Sequence, residues 1–326
     1  MKRTAATTVR MPEPGAPGRA PLWKRFMAYQ AERFPLAGFV PLITLFTVAS
    51  AGFSRLARHA PGMVSTPLLV VGSFTSLASF FILRVLDEHK DADDDRRYRP
   101  ELPVPRGLVT LAELRALGTR AGLVALALNA LLAPVMLLPL ALVAAWATLM
   151  TREFFVRAWL RTHATAYLLT HMAIMPLIDG YTTGLDWLPA GHHPPVGVLW
   201  FLAVTFANGV LIEIGRKLRA PADERPGVDT YTRVWGVRVA PCVWVVTLGL
   251  SAWLSLRAAE YVSWPAWAVA AFVSVAVVAA LPALRFAVGL ERGDAVTVER
   301  VSQAWPALTY LSLGVLPLVA RMMLAR

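Results

Sequence analysis

The sequence predicts an all-α, polytopic membrane helical bundle, and three observations predict it. Of the 326 residues, 56% are hydrophobic and only 16% are charged, against about a quarter charged in a soluble domain. The mean hydropathy is +0.53, too apolar for a solvated surface. The apolar residues also come in runs of about 20, the length a helix needs to cross the hydrocarbon of a bilayer. An ordinary soluble enzyme, a disordered chain and a disulfide scaffold are excluded on these grounds. The one cysteine, Cys242, lies in an apolar stretch. It cannot form an internal disulfide, and it is expected to be a small buried hydrophobe.

Residues 1–33 are basic and proline-rich. They are expected to form a partly disordered cytoplasmic tail, with Trp23 to Arg33 lying as a short amphipathic helix on the membrane surface. The first long apolar run begins near Phe34, too late for a signal peptide. From residue 34 to 326 a single transmembrane domain is expected. It has about nine spans, near 34–53, 64–86, 110–131, 134–151, 160–178, 196–215, 236–256, 263–286 and 305–324. The third and fourth are divided within NALLAPVMLLP on length and on the prolines.

Charge orients the bundle. The chain carries 32 Lys and Arg against 21 Asp and Glu, a net +11. With the N-terminus in the cytoplasm, every Lys and Arg except Arg55, Arg58, Arg257, Arg321 and Arg326 falls on the inner side, as positive-inside topology requires. The loop DGYTTGLDWLPAGHHPP has neither Lys nor Arg. The C-terminus is therefore expected outside, and the basic balance reflects the lipid bilayer rather than nucleic acid.

The acids are as uneven as the bases. The second span ends in ILRVLDEHKDADDDRRYRPELPVPRGLVTLAELR. If that helix continues, Asp87, Asp91 and Asp95 share one face at i, i+4 and i+8. Stacked carboxylates repel, and a divalent cation offsets the repulsion. Mg²⁺ suits such a site, because it takes one or two carboxylates and completes its shell with water or phosphate oxygens. Arg96, Arg97, Arg99 and Arg106 are interleaved, ready for the same anion. A solvated loop would account for Asp93 and Asp94. It accounts less well for carboxylates that begin at Asp87, directly against a span, where charge is costly and tends to be functional.

The sixth span ends in ANGVLIEIGRKLRAPADERPGVDTYTRVWG. Glu213, Arg216 and Lys217 lie on its last turns, and Asp223, Glu224 and Asp229 lie in the following loop, where Pro221, Pro226 and Gly227 break the helix. Mixed acid and base suit both a metal and an anion; an ordinary positive-inside flank with local ion pairs is the competing reading.

This pair of segments resembles the UbiA superfamily of intramembrane prenyltransferases, which has nine helices and aspartate-rich motifs after helices 2 and 6. The first motif, NDxxDxxxD, reads here as Asp87-Glu88-x-x-Asp91-x-x-x-Asp95, with Asp87 for the Asn and Glu88 for the next Asp. Arg84 matches an arginine often found just before it, and RPELPVPRG matches the stretch that follows. The second motif has DxxxD before a turn seen here as GVDTYTRVWG; its second aspartate falls on Asp223, but its first falls on Arg219. Either Glu213 supplies the missing carboxylate or Arg219 pairs with phosphate directly.

The resemblance implies a polyprenyl diphosphate donor entering sideways from the bilayer, its tail in an apolar tunnel. Mg²⁺ is expected on Asp87, Glu88, Asp91 and Asp95, and on Asp223, joined by Glu213, from the other side. Asp91, Asp95 and Asp223 are the expected catalytic residues. Arg84, Arg157, Arg216, Lys217 and Arg219 are expected to bind diphosphate. Ionisation of the C–O bond then gives an allylic cation, which an aromatic or other lipid-soluble acceptor captures. In the loop TREFFVRAWLR the family often has a Tyr and, four residues on, a Lys; this chain has Glu153 and Arg157. A non-catalytic isoprenoid-binding protein or a transporter on the same bundle is the alternative. His163 and His171 are eight apart in the fifth stretch, and packed or hydrogen-bonded roles are expected for them rather than ligation. His192 and His193 lie in an outer loop. Asp179 precedes a glycine, without the remainder of a CDP-alcohol phosphotransferase pattern.

Overall fold

The computed structural model describes residues 20–225 and 227–324. The expectations for residues 1–19, Pro226 and Arg326 lie outside the described residues. The described chain is helical, without strands. In order the helices are α1 (Leu22–Arg33), α2 (Leu36–Ala57), α3 (Thr66–Lys90), α4 (Ala92–Tyr98), α5 (Leu111–Leu132), α6 (Leu137–Thr151), α7 (Arg157–Thr162), α8 (Ala164–Met172), α9 (Ile174–Trp187), α10 (Gly197–Arg216), α11 (Tyr231–Trp235), α12 (Val239–Ala259), α13 (Ala266–Gly289), α14 (Arg292–Tyr310) and α15 (Leu316–Leu324).

Seven stretches of the described helices are long and apolar enough to cross a membrane: 36–57, 66–90, 134–151, 197–216, 239–259, 266–289 and 292–324. Two expected spans differ for visible reasons. The helix α5 has the length but carries Glu113, Arg115 and Arg120 in its first half. It starts on a capping box, Thr110 with Glu113, which satisfies two backbone N–H groups that helix geometry leaves free. The stretch near 160–178 is three pieces, α7, α8 and α9, with turns at His163 and Ala173. The last span is interrupted by a π-helical turn at Leu311–Val315.

Large apolar side chains face outward on several of these helices, among them Trp267, Val277 and Val288 on α13. In water such a surface would be an aggregation patch; against acyl chains it is the expected one. Cys242 is also on this outward surface. It is not the buried hydrophobe the sequence suggested, because α12 turns that face to lipid.

The centre is built on α10, which packs against α9, α12 and α14, while α3 packs on α5 and α2 on α9. Stacked and edge-on rings of Phe53, Phe201, Phe46 and Tyr310 fill it. Many polar groups inside are partnered, as lipid demands, although Thr47 Oγ1, Ser76 Oγ and Trp187 Nε1 are buried without a hydrogen bond. Asp179 accepts from Tyr310 at 2.5 Å and contacts Ser50 at 2.9 Å. At the face away from the acidic motifs, Asp186 is held by Ser54, Arg55 and Arg58.

Helix α1 forms where the sequence places it. It is not only a surface element, however, for Tyr29 is fully buried against Phe26 and Phe81 neighbours. Arg25 forks onto Glu113 at 2.9 and 2.6 Å, and Arg33 reaches Glu88 at 2.8 Å. The tail helix is thereby riveted to the first acidic segment.

Candidate active site

The first acidic segment is not one straight helix. Asp91 caps α3 and opens α4, but the i to i−4 bonds continue, from the Asp91 N–H to Asp87 O at 2.9 Å and from the Asp95 N–H to Asp91 O at 2.8 Å. The carboxylates therefore fan over two sides of the turn. Glu88 points inward and is 1% exposed, gripped by Arg33 at 2.8 Å and Arg84 at 3.2 Å, with the Tyr29 hydroxyl donating at 3.4 Å. Burial, reinforced by Glu88, pushes the Tyr29 phenol up, so it remains a donor. Asp95 is also buried and lies 3.4 Å from Arg99; burial pushes its carboxyl up. Asp93 and Asp94 are exposed, with Asp93 3.4 Å from Arg96.

Asp87 and Asp91 point the other way. Asp87 is about half exposed (52%), and its nearest cation is Lys90 at 3.9 Å. Asp91 lies within electrostatic range of Asp87, Lys90 and Tyr167. Lys90 donates to the Tyr167 hydroxyl at 2.7 Å, which ties α3 to α8.

The end of α10 closes the other side. Glu213 is buried and accepts from Arg216 and from Lys217, the latter at 3.0 Å. Arg216 faces Asp87 across the gap. Lys217 lies over the Tyr231 ring, 5.6 Å from its centre. Burial and the Glu213 carboxylate push the Tyr231 phenol up.

The loop after α10 is tied down acid by acid. Arg219 pairs with Glu299 on α14 at 3.2 Å. Asp223 pairs with Arg292 at 3.3 Å. Glu224 accepts from the hydroxyls of Thr230 and Thr232, each at 2.6 Å. This loop meets the first segment directly. At Gly227 (φ +74°) a Cβ would stand 2.5 Å from the ring of Tyr98, so only glycine fits there. Arg225 reaches Glu101 at 3.7 Å.

The structure thus brings Asp87, Asp91, Arg84, Glu213, Arg216 and Lys217 to one end of the bundle. Glu88, Asp95, Asp223 and Arg219 are present at the same end, and they, like Arg84, Glu213, Arg216 and Lys217, are in ion pairs within the protein. Arg157 lies further out, paired with Glu153 at 3.2 Å in a loop where Glu153, Phe154 and Phe155 all have positive φ. Lys90, Tyr167 and Tyr231 were not singled out from the sequence. Lys90 sits inside the first motif, but its direction depends on the turn at Asp91; Tyr231 lies in the GVDTYTRVWG turn, and Tyr167 has no local signature.

Among the described residues no three His, Cys, Asp or Glu side chains form a ready-made metal cage. Mg²⁺ does not need one, since one or two carboxylates plus phosphate oxygens suffice. Asp87 and Asp91, unclaimed by Arg, fit that demand. Beside this end an apolar cleft of about 500 Å³ runs between α8, α10 and α12, lined by Leu168, Phe206, Val210, Trp235 and Val243.

No family model matches the chain, and no curated protein matches it. Among solved structures it is similar to a digeranylgeranylglyceryl phosphate synthase in membranes. The two share 12% identity at a TM-score of 0.62, over 89% of this chain and 97% of that one. This chain is an integral membrane protein with an all-helical fold like that of this synthase.

Proposed function

We propose that the protein is a Mg²⁺-dependent intramembrane prenyltransferase that moves a prenyl group from its diphosphate to a lipid-soluble acceptor. The observation that carries this reading is the meeting of two helix ends. Asp87, with Asp91 one turn on, faces Arg216, which shares the Glu213 carboxylate with Lys217, next to an apolar cleft. A diphosphate is a dense anion on a greasy chain, and this arrangement matches it part by part. The acidic motif and its partner loop are read as cytoplasmic, from the positive-inside balance.

Asp87 and Asp91 would hold the ion, which when bound neutralises charge on the leaving diphosphate. Arg216 and Lys217 orient the same group and stabilise the charge that grows on it. Glu213 keeps those two cations in place, and Glu88 and Asp95 fix the turn that aims Asp87 and Asp91. The cleft takes the prenyl tail and keeps water from the allylic cation. The test is diphosphate release from geranyl, farnesyl and geranylgeranyl diphosphate, with Mg²⁺ and with a chelator. Release that needs Mg²⁺ supports the reading, and none with any donor ends it.

A second reading, an isoprenoid binder or transporter on the same bundle, draws on Asp179 within the membrane, the turn at Ala173 and the π-helical turn after Tyr310. Such a protein binds prenyl compounds and releases no diphosphate.

A further inference from the structure

A second polar site lies deeper in the bundle. Asp179 on α9 is buried, and hydroxyls meet its carboxyl oxygens: Ser50 at 2.9 Å, Thr182 at 3.4 Å and Tyr310 at 2.5 Å. Beside it is a cavity of about 10 Å³. Asp179 and Tyr310 line it together with Thr47 from α2 and Ser76 from α3, and Phe46 and Phe80 are among its apolar walls. Ser76 lies about 16 Å along α3 from Asp87, at the rise of an α-helix. The cavity is therefore separate from the candidate active site.

Thr47 and Ser76 are 0% and 2% exposed, and neither hydroxyl has a hydrogen-bond partner in the protein. A serine or threonine within a helix can give its proton to a carbonyl one turn back. Ser50, Ser79, Thr148 and Ser274 all do so here. Thr47 and Ser76 forgo that local bond. The Thr47 methyl is turned toward α3, where a Cβ on Gly72 would come within 3.2 Å of it, and the hydroxyl is left to the cavity. Lipid offers such groups no partner, and a buried hydroxyl without one is costly. Two of them, from neighbouring helices, line one small cavity next to a carboxyl group.

We infer that this cavity binds one water molecule, which accepts from the hydroxyls of Thr47 and Ser76 and donates to Asp179, joining α2, α3 and α9 inside the membrane. The space suits one water and nothing larger, and three polar partners are usual for a buried water. An apolar occupant would leave both hydroxyls unpaired. The site stands whether or not the protein transfers prenyl groups.

Two measurements test it. The first is a density map of the full-length protein in nanodiscs, at a resolution that shows other buried waters. A single round peak within hydrogen-bond distance of Thr47 Oγ1, Ser76 Oγ and the Asp179 carboxyl is expected. A map without that peak overturns the inference, as does elongated density from a lipid or another ligand.

The second is the sign of the stability change in Thr47→Val and Ser76→Ala, each of which removes a hydroxyl with little change of shape. A hydroxyl bonded to water loses that bond, so each thermal midpoint should fall by about 3 °C. Alanine is the better helix former, so a fall in Ser76→Ala has no local cause. A hydroxyl that bonds nothing is better removed, and a midpoint that rises or stays unchanged in either variant overturns the inference. The double variant should fall by less than the sum of the two, because both hydroxyls serve the same water. Fully additive losses overturn the shared site.

Discussion

The two acidic segments look alike on paper and behave differently in the fold. After α3 the carboxylates divide. Glu88 and Asp95 turn inward to Arg33, Arg84 and Arg99, and Asp87 and Asp91 are left facing the gap. After α10 each of three carboxylates is engaged: Glu213 by Arg216 and Lys217, Asp223 by Arg292, and Glu224 by two threonine hydroxyls. The first segment is thus the half suited to a cation, and the second presents cations of its own to an anion. What decides between them is the number of nearby cations and hydroxyls, not the number of acids.

The contrast is broken most directly at Asp87 and Asp91. Replacing both by Asn should lower diphosphate release by at least about a hundredfold, the scale for losing a charge-stabilising group, while Asp223→Asn should cost far less. Equal losses in the two segments would erase the distinction drawn here.

Next in size is the rivet beneath the first segment. Arg33→Ala leaves the buried Glu88 with Arg84 and Tyr29 only. It should destabilise the protein by about 3 kcal/mol, within the range for breaking a buried pair, read as a lower thermal midpoint in detergent. A midpoint unchanged from wild type would mean that α1 is only loosely held.

Arg216→Ala should raise the KM for the donor by about tenfold, as expected for one charge-assisted contact to phosphate. Assays over a range of donor concentration would read it as a KM effect. The smallest expected effect is at the rim, where Arg225 and Glu101 are both largely exposed. Arg225→Ala should change stability by no more than about 0.5 kcal/mol and leave release unaltered. Chemical denaturation and the same release assay check both halves of that statement.

The apolar runs, the acids against the end of the second span and the GVDTYTRVWG turn were all readable from the chain, because each is a local pattern. The T-x-x-E signal at Thr110–Glu113 is equally local, and it starts α5 as the box requires. What could not be read was which acids would be claimed by partners. Arg219 finds Glu299, and Arg33 finds Glu88, across 80 and 55 positions of sequence. The turn at His163 was also hidden, whereas the one at Ala173 had a local signal that was passed over: Pro176 has no N–H to give the Met172 carbonyl. His171 is packed and hydrogen-bonded, as expected. Its environment depends on Phe154, whose left-handed backbone has no glycine to announce it.

The close seat of Tyr98 on Gly227 has a consequence for divergence. A ring at 98 and a bare α-carbon at 227 are two halves of one fitting. Among relatives, positions 98 and 227 should drift together or not at all. Loss of the aromatic at 98 would open space at 227, but the left-handed backbone there would still favour glycine, or at most Asn or Asp.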